Sequence, residues 1–187
     1  MTRDGEILVG LARRAIETSF VGGDVEPPRL PWLEEPRAVF VTLRERNGDL
    51  RGCIGSIEAR LPLAQAVIEA ARGAAFRDGR FSPLSRNELD HVHLDVSVLS
   101  PMTPLRFSNE ADAVRQIDRT RPGVLFTWAG RRSVLLPQVW GSIPDAADFL
   151  GHLKLKAGLP AQFWSDEVAL HVFTCEEFAE PGAPGRP

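Results

Sequence analysis

Leu50-Arg51-Gly52-Cys53-Ile54-Gly55-Ser56 puts a thiol, two glycines and a guanidinium into one short β-rich run. Ordinary strand packing does not ask for that mixture. Glycine weakens a strand interior and is kept where a ligand or another stretch of chain comes close to the backbone. Alternate residues of a strand share a face, so Arg51, Cys53 and Gly55 project to one side and Leu50, Gly52 and Ile54 to the other. A cation beside a thiol favours the thiolate, the form in which cysteine attacks. Cys53 is therefore the candidate nucleophile or ligand, with Arg51 to tune it. The same residue type is also among the most buried, and an unpaired cysteine packs well as a small hydrophobe.

A nucleophilic thiol needs a base. Of the four histidines, His152 lies on an expected helix within a turn of Asp148 and is the candidate general base; a plain helix-surface histidine has the same appearance. His91, His93 and Asp95 alternate on one strand face and could offer two imidazoles and a carboxylate to a metal, but residues two apart on a solvated face look alike, and no metal site is assigned. Arg77, Asp78 and Arg80 cluster in a loop that ends a helix, where they could hold a carboxylate or phosphate or pair with one another. The candidate substrate-binding residues are Arg51, Gly52, Gly55, Ser56, Arg77, Asp78, Arg80 and Gln138. No phosphate-binding glycine loop, GxSxG elbow or HExxH helix is present, and no cofactor is implied.

The elements that must position these residues follow from composition and pattern. At 187 residues, with 43% apolar and 25% charged, the chain is long enough to bury roughly 70% of its unfolded surface without staples. A net charge of −3 with no basic block gives no electrostatic reason to expect nucleic acid. No apolar run reaches the ~18 residues of a membrane span, and the first residues lack the pattern of a secretory signal, so a cytoplasmic location is expected. Cys53 and Cys175 form no CxxC pattern and are expected as thiols.

Residues 4–21 carry apolar side chains at helical spacing, and Gly22-Gly23 stops that helix. Four prolines between 27 and 36 make an extended connection. Residues 38–46 and 50–58 read as a hairpin about Asn47-Gly48-Asp49, so the opening stretch is its return arm. Pro62 suits the first position of a helix of small residues running to Phe76. Ser85 and Glu88 form a capping box, and 91–99 alternate as a strand that Pro101 and Pro104 end. A short helix over 108–117, a hairpin of 123–129 and 133–139, a helix capped by Asp145 with Lys154 and Lys156 in its last turn, and a strand over 168–178 complete the pattern. Neighbouring hairpins favour an α+β fold with an antiparallel or mixed sheet. Residues 181–187 are expected as a frayed, disordered tail.

Leu50 to Ser56 resembles the LRGCIG signature of the AMMECR domain family. Further pieces match in order: Ala74 to Leu84 around Arg77-Asp78-Gly79-Arg80-Phe81, Glu88-Leu89, Val96 to Pro101, Leu135 to Val139 with Gln138, Phe149 to Leu153 with His152, and Lys156 to Pro160. Gly79 and Ser82 stand where prolines are common. The resemblance implies a two-lobed α+β domain over 1–180, a larger lobe built on a mainly antiparallel sheet flanked by helices and a smaller second lobe, with the signature cysteine lining a cleft. It also implies a small-molecule or modified substrate and Memo-like and radical S-adenosylmethionine partner proteins, the grouping called the AmmeMemoRadiSam system.

Overall fold

The structure, a computed structural model, describes residues 2–182. In chain order it comprises α1 (Arg3–Ser19), a 3-10 turn (Pro31–Leu33), β1 (Val39–Glu45), β2 (Leu50–Ser56), α2 (Leu63–Phe76), α3 (Arg86–Leu89), β3 (Val92–Leu99), β4 (Thr103–Leu105), α4 (Glu110–Thr120), β5 (Gly123–Trp128), β6 (Arg131–Leu135), a 3-10 turn (Pro137–Gly141), α5 (Ala146–Lys156), β7 (Ala169–Phe173) and β8 (Cys175–Ala179). The chain is α+β and forms two compact units. One runs to Leu99 and resumes at Glu176; the other is Ser100–Cys175.

The first unit holds a sheet of order β2-β1-β3-β8. α2 packs on β1 and β2, and α1 on β3 and α2. Leu8, Leu11, Ala12, Ala15 and Ile16 recur at three- and four-residue spacing on α1 and are buried, and the Thr2 hydroxyl accepts the Gly5 amide to cap the helix. Alternation in β1 turns Val39, Val41 and Leu43 to this core. Val92, Leu94, Val96 and Val98 do the same in β3, but Asp95 and Ser97 are buried as well, so both sides of that strand are covered where one solvated face was expected.

The second unit holds a sheet of order β4-β7-β5-β6, with α5 lying against β5, β6 and α4. Its core includes Phe126, Phe149, Leu150 and Leu153, and the Trp140 and Phe149 rings stack with centroids 3.9 Å apart. Ala129 and Gly130, both at positive φ, make the two-residue turn from β5 to β6.

Three sequence expectations are adjusted. The strand over 168–178 is two strands, one in each sheet; the break falls at Thr174, whose amide and carbonyl bond to Ser100. The second arm over 133–139 ends at Leu135, because Pro137 starts a 3-10 turn. The strand over 91–99 ends at Leu99 as expected, and Pro104 lies in the separate β4 at a sheet edge, the place where a missing amide is tolerated. Pro62 caps α2 rather than entering it. Of the expected tail, residues 183–187 lie outside the described residues.

Candidate functional site

The two glycines around Cys53 answer to other segments of the chain. A Cβ on Gly52 would stand 2.2 Å from the Ala74 carbonyl oxygen of α2, and one on Gly55 would stand 2.2 Å from the Val39 carbonyl oxygen of β1. α2 reciprocates, for a Cβ on its Gly73 would meet Ile54 at 2.8 Å. Gly52 of β2 and Gly73 of α2 thus permit one close approach of helix to strand, Gly55 permits another between β2 and β1, and of the two reasons for strand glycine the structure selects chain packing.

Cys53 is half-buried, opposite Thr42 in the β1–β2 register. Its main-chain groups face away from β1: the amide donates to Asp78 Oδ2 at 2.9 Å, and the carbonyl accepts Arg80 Nη2 at 3.3 Å. In antiparallel pairing this orientation brings opposed side chains closest together, and the Thr42 hydroxyl donates to Sγ at 3.3 Å. Asp78 is 6% exposed. Its two oxygens also accept Arg80 Nε and the Arg80 amide on one side, at 3.0 and 3.2 Å, and Arg80 Nη2 on the other, at 2.7 Å. The Arg80 guanidinium first, and the Cys53 amide second, hold the Asp78 carboxyl far below the usual carboxylate range against the opposing effect of burial. Arg80 is raised above its ordinary value, chiefly by the hydrogen bond to Asp78 and in smallest part by attraction to the charge of Cys53.

Arg51 takes a different course from the one its place in the strand suggested. Its guanidinium donates to Glu88 Oε1 at 3.0 and 3.1 Å and to the Ser82 carbonyl at 3.0 Å, 5.8 Å from the Phe81 ring centroid. It ties β2 to the loop before α3. Glu88 is held below its ordinary range by the Ser85 amide first, then the Ser85 hydroxyl, with Arg51 contributing less. The cation that reaches Cys53 is Arg80.

The other candidates divide between places. Arg77 donates to Glu69 Oε2 at 3.1 Å, and the Ser56 hydroxyl bonds within its own turn to Glu58. Gly55, Ser56 and Arg77 line a groove of about 430 Å³ in the first unit. His152 and Gln138 belong to the second unit. His152 is exposed on α5, with Nδ1 2.9 Å from the Asp148 carbonyl. That carbonyl can only accept, so Nδ1 donates and Nε2 is the basic nitrogen of the neutral ring. Gln138 Nε2 lies 3.7 Å from Cys175 Sγ. Asp95 bonds to Arg44 Nε at 3.1 Å, and among the described residues no three His, Cys, Asp or Glu side chains are grouped to hold a metal ion. No helix is long and apolar enough to cross a membrane.

Sequence reasoning missed Thr42 as the sulfur's partner. The hairpin offered a signal, but a register shift between Leu43 and Arg44 offsets the pairing by one residue from a simple count about the turn. It also read Lys154 only as a helix-end cation, whereas the structure buries it at 2% exposure against Glu110 and the Ala161 carbonyl.

A family model described as AMMECR1 matches residues 9–178. Protein MK0488 of Methanopyrus kandleri is 40% identical over 192 residues, taking in 97% of this chain and 91% of that protein. A protein of Methanothermobacter thermautotrophicus is 42% identical over 190 residues and 97% of each chain. The crystal structure of uncharacterized protein PH0010 from Pyrococcus horikoshii is similar with a TM-score of 0.86 and 38% identity, covering 97% of this chain and 94% of that one.

Proposed function

The chain belongs to the AMMECR1 family, and from that premise we propose that it is an enzyme, or an enzyme component, that uses the Cys53 thiol on a small or modified substrate. The observation that supports this is the hold on one cysteine from three sides: Thr42 at sulfur, Asp78 at the amide and Arg80 at the carbonyl. A cysteine that only fills space does not need the bond at sulfur, and the other two fix the main chain that carries it. A reacting atom gains from all three, because its position is set before substrate arrives and nothing has to reorganise. Thr42 donates to the sulfur itself, and Arg80 brings its guanidinium to the carbonyl of the same residue. Neither cysteine is in a disulfide among the described residues, the state a reducing cytoplasm maintains, and we place the protein's work there.

Alkylation by iodoacetamide of the folded full chain, in a Cys175→Ser background so that Cys53 alone reports, tests the proposal. Labelling is expected at pH 7 without denaturant, with Arg80→Gln and Thr42→Val each slowing it by about 3- to 10-fold. Protection of Cys53 until the chain unfolds would overturn it. In a complementation assay Cys53→Ser and Cys53→Ala are both expected to abolish function.

One observation favours a second reading, a non-catalytic module working with Memo-like and radical S-adenosylmethionine partner proteins. Both guanidiniums assigned to a substrate anion are engaged within the chain, Arg77 by Glu69 and Arg80 by Asp78. On that reading Cys53→Ala complements fully.

A further inference from the structure

The outer edge of β2 changes character halfway along. Antiparallel pairing alternates residues whose amide and carbonyl face the partner strand with residues whose groups face away. Cys53 is of the second kind, and Asp78 and Arg80 take its groups. Gly55, two positions on and opposite Phe40 in unbroken register, is of the same kind. β2 ends its sheet, Gly55 is exposed, and by the same alternation its amide and carbonyl face out from the sheet edge. A free edge of this sort is a template for another strand.

What lies beside that edge narrows the occupant. Gly55 opens into the groove of about 430 Å³, whose wall includes Ile54, Ala66 and Leu61. Leu61, 40% exposed, is among the few large apolar side chains left in solvent. Three guanidiniums line the groove. Arg60 pairs with Glu58 and Arg77 with Glu69, but among the described residues Arg37 is held only by the Leu99 carbonyl, at 3.3 and 3.4 Å. The groove therefore offers an edge donor and acceptor, an apolar wall and one positive charge without a carboxylate.

We infer that this groove docks an extended peptide by strand addition at Gly55, with an apolar side chain against Ile54, Leu61 and Ala66 and a carboxylate on Arg37. Main-chain pairing at the edge supplies attachment, and the wall and the cation supply selectivity. The carboxylate is an acidic side chain or a peptide C-terminus; both present the same group to a guanidinium. The site stands whether or not Cys53 reacts.

The full chain, labelled with nitrogen-15, is titrated with three pools of N-acetylated hexapeptides that share a varied apolar position. The first carries a following aspartate and an amidated end, the second a following asparagine and a free C-terminus, the third neither carboxylate. The Gly55 amide resonance is expected to shift with the first or the second pool, which identifies the source of the carboxylate, and the third pool to bind about tenfold more weakly. N-methylation of the peptide residue opposite Gly55 is expected to weaken binding by about tenfold, and Arg37→Gln to do so by about fivefold or more. Ala66→Phe, which fills the groove, is expected to abolish the shift; Arg37→Gln stands in where that variant disturbs folding. No Gly55 shift at about 1 mM peptide, or equal binding of the N-methylated peptide, overturns the inference.

Discussion

The Asp78–Arg80 pair of the first unit and the Lys154–Glu110 pair of the second each bury one member, and the two are mirror images. In the first pair the anion is inside: the Asp78 side chain is 5% exposed and Arg80 56%. In the second pair the cation is inside: Lys154 is 2% exposed and Glu110 38%. A buried charge is tolerated only while its partner stands beside it. In both units, then, the solvent-facing member is the one the fold cannot release, because losing it strands a charge in the interior. Asp78 binds the main chain of the candidate catalytic cysteine, while Lys154 binds the Ala161 carbonyl and lies 5.8 Å from the Trp164 ring. One pair sets a site and the other secures a scaffold.

The largest effect that would sharpen this contrast is expected from Glu110→Ala. Urea unfolding at pH 7 should show a loss of about 3 kcal/mol, since Lys154 keeps only its carbonyl and ring contacts. Arg80→Ala is expected to cost less, about 2 kcal/mol, because the Cys53 amide still serves Asp78 and the carboxyl can take up a proton. If Arg80→Ala proved the milder change in stability yet left Cys53 alkylation untouched, the division between site and scaffold would break.

The pH dependence comes next. A carboxyl whose folded value lies below its unfolded one, near 4, binds fewer protons in the native state. The stability that Asp78 contributes is therefore complete above about pH 4 and lost as pH falls further towards its depressed folded value. The urea midpoint of the natural chain should drop between about pH 4 and pH 2 more steeply than that of Asp78→Asn. The smallest change is expected from Lys154→Met, within about 1 kcal/mol of the natural chain at pH 7. It removes the buried charge and leaves Glu110 in water, filling similar volume. A loss as large as that of Glu110→Ala would refute the asymmetry between inner and outer members.

Local signals carried most of the fold. Periodicity placed α1, α2 and α5, turn chemistry placed the β1–β2 hairpin, and Ser85 with Glu88 marked the start of α3, as the structure has them. What local signals do not encode is where a continuous apolar run changes sheets. Thr174 breaks 169–179 through bonds to Ser100, a residue 74 positions away. For the site, the thiol, the glycines and the Asp78 loop could all be picked out from residue type. Which arginine meets Cys53 could not, because strand alternation predicts the direction of a side chain's first bond and not where a long guanidinium finds its carboxylate. Arg51 leaves for Glu88, and Arg80 reaches Cys53 from a separate loop. Lys154 shows the same gap: its place in the last turn suits the helix dipole, while its burial depends on Glu110, 44 positions away in α4.

The bond between Ser100 and Thr174 also bears on how such a chain could be assembled or rearranged. The second unit starts at Ser100 and ends at Cys175, so its two ends meet where those hydrogen bonds join them. A segment that begins and ends at one spot behaves as a cassette: its length and content can change with little displacement of the flanking chain, the condition under which insertions between host residues are tolerated. The chain is, in that sense, one compact unit interrupted by another.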